Sequence, residues 1–179
     1  MSVSINRRVP IHEGRVFRLF RENATLENGA AVDLDVIRHP GAAAMVPLIN
    51  PDTVVMIHQY RHAVGGFLWE IPAGTLDPGE TPLQCARREL TEETGFSAAA
   101  WRKMGEIIPL PGYSDERIHI FLATDLAPAQ QDLDPDEILR VHWIPLDEAL
   151  GMIRDGRIRD GKTICSLLMT ERWFKSGGA

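Results

Sequence analysis

Three glutamates in the segment GTLDPGETPLQCARRELTEETGF, residues 74–96, stand out for their chemistry. Glu89, Glu92 and Glu93 follow i, i+3, i+4, which puts their carboxylates on one helical face within an arc of roughly 100°. Like charges at this spacing destabilise an isolated helix by about 0.2–0.5 kcal/mol per pair. They also lie toward the C-terminal end, where the helix dipole disfavours anions. A hard divalent cation such as Mg²⁺ or Mn²⁺ would account for them, because carboxylate oxygens are its preferred ligands. A solvated acidic face, partly neutralised by the i,i+4 pair of Arg88 with Glu92, would account for them equally well. Charge alone leaves both readings open.

Other reactive patterns are weaker. GRIRDGKT, residues 156–163, fits the phosphate-loop pattern G-x-x-x-x-G-K-[ST] letter for letter. That loop requires a strand before it and a helix after it. Here the segment joins two predicted helices, and Asp160 places a carboxylate among the donors meant for phosphate. It reads as a helix connection, and the pattern as a coincidence. His58 and His62 have the spacing of a helical metal pair, but TVVMIHQY reads as a strand, which would separate their Cα atoms by roughly 13 Å. Cys85 and Cys165 are the only cysteines and form no C-x-x-C pair, so zinc and disulfide frameworks are not expected.

The chain has 179 residues, 44% of them hydrophobic, and a net charge of -6. Such a composition suits one globular domain with a real core and argues against a general nucleic-acid surface. A phosphate-bearing substrate would need local arginines or a metal ion. No signal-like core opens the chain, and no run of about 18 apolar residues spans a membrane. The expected compartment is the reducing cytoplasm.

These groups need elements to position them. Thr81, Pro82 and Gln84 specify a capped helix start, Gly95 a helix end, and Leu83, Ala86 and Leu90 an apolar stripe. VFRLFREN and AAVDLDVIRH read as two strands joined near Asn28-Gly29. AAMVPLI and TVVMIHQY read as a hairpin about Asn50-Pro51-Asp52. FLWEIPAG, MGEIIPL, RIHIFLATD and ILRVHWIP follow as strands, with LAPAQQDLDPDE an exposed loop. LDEALGMIRDG and KTICSLLMTERWF close the chain as helices. The order predicts an α+β fold with a mixed sheet.

The full spacing separates the two readings of the acidic face. Gly74, five residues, Glu80, seven residues, and then Arg88-Glu89-Leu90-Thr91-Glu92-Glu93-Thr94-Gly95-Phe96 match every fixed position of the Nudix box. The chain thus resembles the Nudix hydrolases, which cleave nucleoside diphosphates linked to another moiety. The flanks QYRHAVGGFLWEIPAGTLDPGE and PLPGYSDERIHIFLA are similar to those of the ADP-ribose pyrophosphatase group, as is Pro111, sixteen positions beyond Gly95. The resemblance runs from about residue 44 to 165.

It implies an α/β/α sandwich around a mixed sheet, residues 41–179, with an N-terminal antiparallel β layer, residues 1–40, that forms a homodimer. It also implies a Mg²⁺ cofactor, for which Mn²⁺ can substitute, held by Glu89, Glu93, Glu92 and the carbonyl of Ala73. Arg88 would orient the glutamates, and Arg61 would grip the diphosphate, with Glu70, Pro111 and Glu116 as further substrate contacts. Glu137 would be the general base, from an acidic loop that also carries Asp134 and Asp136. The implied reaction is water attack on phosphorus, converting ADP-ribose to AMP and ribose 5-phosphate. GDP-mannose or another nucleoside diphosphate sugar is the alternative substrate. A non-catalytic Nudix-fold sensor is a third reading, which the intact box disfavours.

Overall fold

Alternation along β4 (Ala42–Asn50) sets the architecture. Ala42, Ala44, Val46 and Leu48 point into one core, Ala43 and Met45 into another. A strand buried on both faces reads as the continuous apolar run seen here. The structure is a computed structural model that describes residues 2–178. In it β4 runs antiparallel to β5 (Thr53–Arg61) and parallel to β9 (Ile118–Pro128). The mixed sheet is completed by β8 (Phe96–Ile107) beside β9 and β10 (Leu139–Pro145) beside β5.

Helix α1 (Pro82–Thr94) covers one face, where Cys85, Ala86 and Leu90 meet Met45, Phe121 and Ala123. Helices α2 (Leu146–Arg154) and α3 (Gly161–Lys175) cover the other through Ala149, Met152 and Leu167. This is the expected α/β/α sandwich. The signals read at the ends of α1 operate as expected. Thr81 and Gln84 exchange a reciprocal capping box, and Gly95 ends the helix in the left-handed conformation at φ 71°.

Three strands differ from expectation. FLWEIPAG is two strands, β6 (Gly66–Glu70) pairing with β5 and β7 (Ala73–Thr75) pairing with β4. Pro72 has no N–H to donate, and the Ile71 N–H leaves the sheet for Thr163 Oγ1 at 3.0 Å, so the ladder breaks there. The strand read from MGEIIPL begins earlier, at Phe96, and stops at Ile107. Its alanine-rich first half is a strand because β9 pairs with it, not through β propensity. By the same pairing β9 continues through Leu126, Ala127 and Pro128, residues expected to lie in a loop.

A separate antiparallel sheet precedes the sandwich, with β1 (Ser4–Glu13), β2 (Arg18–Thr25) and β3 (Ala31–Arg38) in that order. The β2–β3 turn holds Gly29 at φ 82°, as Asn28-Gly29 predicted. β1 was not foreseen, since SINRRVPIHE is exposed at nearly every position and lacks an apolar rhythm. Backbone pairing with β2 holds it, together with Arg8, which binds Glu22 at 2.7 Å. The layer meets the sandwich where Ile37 N–H donates to the Tyr113 carbonyl at 2.7 Å and Arg38 pairs with Asp115 at 3.1 Å.

Glu22 is the buried charge of this layer, 4% exposed, between Arg8 and Arg38, the latter at 2.8 Å. Burial pushes its carboxyl pKa up, but hydrogen bonds and charge from Arg38 and Arg8 outweigh burial and hold it below the ordinary range. A depressed folded pKa contributes stability above the unfolded value of about 4.3, which is lost as pH falls further. Glu22→Gln should therefore be less stable than wild type by about 1–3 kcal/mol near neutrality. In urea denaturation the gap should close below about pH 4. A gap that stays constant with pH would mean that the Glu22 charge is not what matters.

Candidate active site

A cleft of about 1030 Å³ opens where β7, the start of α1, the end of β5 and the loop before β10 converge. Gly74, Glu80, Arg88 and Glu89 line one side, Arg61 and Lys162 another, and Glu137 and Glu116 the rim. A smaller cleft of about 520 Å³ under the N-terminal sheet shares Arg15, Val16 and Pro40 with it.

The acidic end comes from α1. Glu93 is 1% exposed, and Ala73 N–H donates to its Oε2 at 2.9 Å. No lysine or arginine among the described residues pairs with it. Burial, then the charges of Glu89 and Glu137, raise its pKa well above the usual carboxylate range. Burial also raises Glu89, with Glu92 and Glu137 adding to the rise against the pull of Arg88.

Arg88 ties this end together. Its Nη1 donates to Glu89 Oε1 at 2.7 Å and Glu92 Oε2 at 2.9 Å, while Nε and Nη2 fork onto Glu80, both at 2.9 Å. Nη2 also reaches the Thr75 carbonyl at 3.2 Å. Glu80, fixed in the sequence pattern but given no role there, is the group that orients the arginine.

The donor set fits a hard divalent cation. Buried Glu93 and partly buried Glu89, whose charged forms are both disfavoured, lie next to strand β7. A Cβ built on Gly74 would lie 1.7 Å from Glu89 Oε1, so a larger residue there would displace that carboxylate. No three ligand-type side chains among the described residues already converge on one point, and Arg88 engages Glu89 and Glu92 but not Glu93.

Arg61 forks onto Glu70 through Nε and Nη2, at 2.9 and 2.8 Å, and lines the cleft. Glu70, 1% exposed, lies beneath it; burial pushes its pKa up, but Arg61 and Lys162 bring it below the ordinary value. Glu137 closes a turn with Asp134, accepting that residue's N–H at 3.2 Å. Burial, then the Asp134 charge, raise its pKa against the pull of the Asp134 N–H. Asp136 and Asp134 are held by Arg15, at 2.8 and 3.7 Å, from the turn between β1 and β2.

The other expected site residues are dispersed. Glu92 borders a separate depression with Thr91, Gln130 and Asp132. Pro111 is exposed on a turn and does not line the cleft. Glu116 lines it, with His39 Nδ1 3.8 Å away. Cys85 is no nucleophile, since burial pushes its thiol up to about 12. Lys162 had been set aside with the phosphate-loop pattern, and only its fit to that pattern singled it out.

Comparison with known proteins agrees with this geometry. The model for the NUDIX domain matches residues 38–167. An ADP-ribose pyrophosphatase of Bacillus subtilis is 36% identical over 155 residues, covering 86% of this chain and 84% of the relative. A GDP-mannose pyrophosphatase of Citrobacter koseri is 38% identical over 170 residues, covering 85% of each. A solved structure described as an ADP compounds hydrolase superposes with a TM-score of 0.87 over 99% of this chain and 97% of its own. At 23% identity it speaks to the fold alone. The box, the sandwich around it and the relatives agree: the chain belongs to the Nudix family and is a Nudix pyrophosphohydrolase.

Proposed function

We propose that this enzyme hydrolyses the diphosphate of ADP-ribose to AMP and ribose 5-phosphate, with Mg²⁺ as cofactor and Mn²⁺ able to substitute. The observation that carries the reading is one cleft that brings together the Glu89 carboxylate beside Gly74, Glu137 and the Arg61 guanidinium. Relatives named ADP-ribose pyrophosphatase support the substrate. Relatives named GDP-mannose pyrophosphatase match at similar identity, so GDP-mannose is the second reading.

Glu89, Glu93, Glu92 and the Ala73 carbonyl would hold the cation. When bound, it supplies charge neutralisation at phosphoryl oxygens and a lowered pKa for water. Arg61, held by Glu70, presents its guanidinium to the diphosphate. Arg88 keeps Glu89 and Glu92 from repelling one another out of place. Glu137 accepts the proton of the attacking water. Glu116 and Pro111 would contact the substrate beyond the diphosphate, Pro111 from outside the cleft walls of a single protomer.

The N-terminal layer, residues 1–40, is proposed to form a homodimer with a second copy, leaving residues 41–179 as the Nudix domain. Support comes from β1, an edge strand that exposes Ile5 and Ile11, and from exposed Leu34 on β3. No described helix is long and apolar enough to cross a membrane. The cytoplasm is the proposed compartment, and neither nucleic acid nor a membrane is a proposed partner.

A panel of nucleoside diphosphate sugars, assayed for released mononucleotide, tests the substrate: ADP-ribose should give the highest kcat/KM, and a preference for GDP-mannose would transfer the assignment. Activity should vanish with chelator and return with Mg²⁺ or Mn²⁺, and Glu93→Gln should cut kcat at least ~100-fold. Full turnover in excess chelator would end the metal reading. Glu137→Gln should lower kcat by ~10²–10⁴ with the melting temperature unchanged, while Asp134→Asn and Asp136→Asn change it little. Wild-type turnover by Glu137→Gln would assign the base elsewhere. Sedimentation at micromolar concentration should give a dimer that loosens on deletion of residues 1–40; a fully active monomer would contradict it.

A further inference from the structure

The G-x-x-x-x-G-K-T segment is a helix connection, yet its lysine lines the active cleft. Asp160 caps α3 by accepting the Thr163 N–H at 2.9 Å and the Thr163 hydroxyl at 2.5 Å. Its carboxylate takes the place a phosphate would occupy at a helix N-terminus, so this turn is closed to phosphate. The lysine turns toward the end of β6 instead. Lys162 Nζ donates to Asp160 Oδ2 at 3.0 Å and to Glu70 Oε2. Its side chain is 14% exposed, and it lines the cleft with Arg61 and Glu137.

Arg61 already pairs with Glu70 through two nitrogens, so Lys162 is not required merely to neutralise a buried charge. It adds an anchor from a different element. Arg61 and Glu70 lie at opposite ends of the β5–β6 ladder, Arg61 opposite Gly66 and Glu70 opposite Ile57, so only their side chains join them. Consecutive residues of α3 bind consecutive residues of this segment, Lys162 to Glu70 and Thr163 Oγ1 to the Ile71 N–H. Two residues further on, Ala73 N–H meets Glu93. Arg61 Nη1 has no partner among the described residues, which leaves it for a ligand oxygen.

We infer that Lys162 is a positioning residue for the hydrolysis: it fixes Glu70, and through Glu70 aims the Arg61 guanidinium at the substrate diphosphate. The inference rests on the proposed use of Arg61 for the diphosphate. Removing Lys162 leaves Arg61 and Glu70 paired but free to swing together, so the loss falls on substrate binding rather than on the chemical step.

The test compares wild type, Lys162→Met, Lys162→Arg, Arg61→Met and the Lys162→Met/Arg61→Met double variant. Two quantities are read: the Kd of ADP-ribose by calorimetry in excess EDTA, where nothing turns over, and kcat and KM with Mg²⁺. Lys162→Met should raise Kd and KM about tenfold, a size usual for coupled neighbours, with kcat within about threefold. Lys162→Arg should restore most of the binding. In the Arg61→Met background, Lys162→Met should change Kd by less than about twofold, because its route to the substrate is gone.

An unchanged Kd in folded Lys162→Met, with or without a lowered melting temperature, would overturn the inference. So would an equal loss in both backgrounds, which would mean that the ammonium touches phosphate directly. If Lys162→Met does not fold, Lys162→Gln is read by the same criteria. If wild type itself neither binds nor hydrolyses ADP-ribose, the substrate assignment fails, and the series repeated with GDP-mannose still decides the role of Lys162.

Discussion

Electrostatic repulsion on one turn of α1 is the constraint around which the site is built. Glu89, Glu92 and Glu93 share a helical face, and the sandwich buries Glu93 and covers much of Glu89 instead of leaving them to water. A buried carboxylate without a partner is costly, and each neighbouring charge raises the cost. Arg88 meets part of it by binding Glu80, Glu89 and Glu92 at once. Ala73 N–H meets another part at Glu93. Three carboxylates around one guanidinium, with Glu93 beside them, leave negative charge in excess, and a divalent cation would answer that excess by its charge and ligand preference.

The sheet makes the arrangement rigid enough to persist. α1 is pinned by Leu90 and Ala86 against β4 and β9, so its acidic turn cannot retreat toward solvent. β7 has only three residues, but its pairing with β4 carries the Ala73–Gly74 backbone to the carboxylates. A side chain at Gly74 would push the Glu89 carboxylate from its place. Burying Glu93 and bringing the Ala73 N–H to it are thus two results of one packing arrangement.

Much of this was legible in the chain because it is local. The capping box of Thr81 and Gln84, the Gly95 stop, the apolar stripe and the glutamate spacing all lie within one helix and its ends. The β4–β5 hairpin announced itself by two apolar runs about Asn50-Pro51-Asp52. What escaped is non-local. β1 and the first half of β8 are strands because a neighbour pairs with them, and their own residues carry no period. Glu70 and Lys162 are 92 positions apart, and no local pattern joins them. GRIRDGKT pointed to Lys162 for the wrong reason, since its glycines cradle nothing while its lysine and threonine brace β6.

The polarity of the cleft has a further consequence for the loop that carries Glu137. The chain is acidic overall, so the proposed anionic substrate would depend on the cations that line the cleft, Arg61 among them. The loop brings more negative charge to the same rim. It is restrained by Arg15, whose pairs with Asp136 and Asp134 are largely exposed on both sides. Exposed pairs of this kind are screened by water and hold weakly, so the N-terminal layer steadies the loop without locking it. A weak latch suits the base role proposed for Glu137. The loop must let an anion pass its carboxylates and then bring one of them to the attacking water, and neither step tolerates a strong restraint.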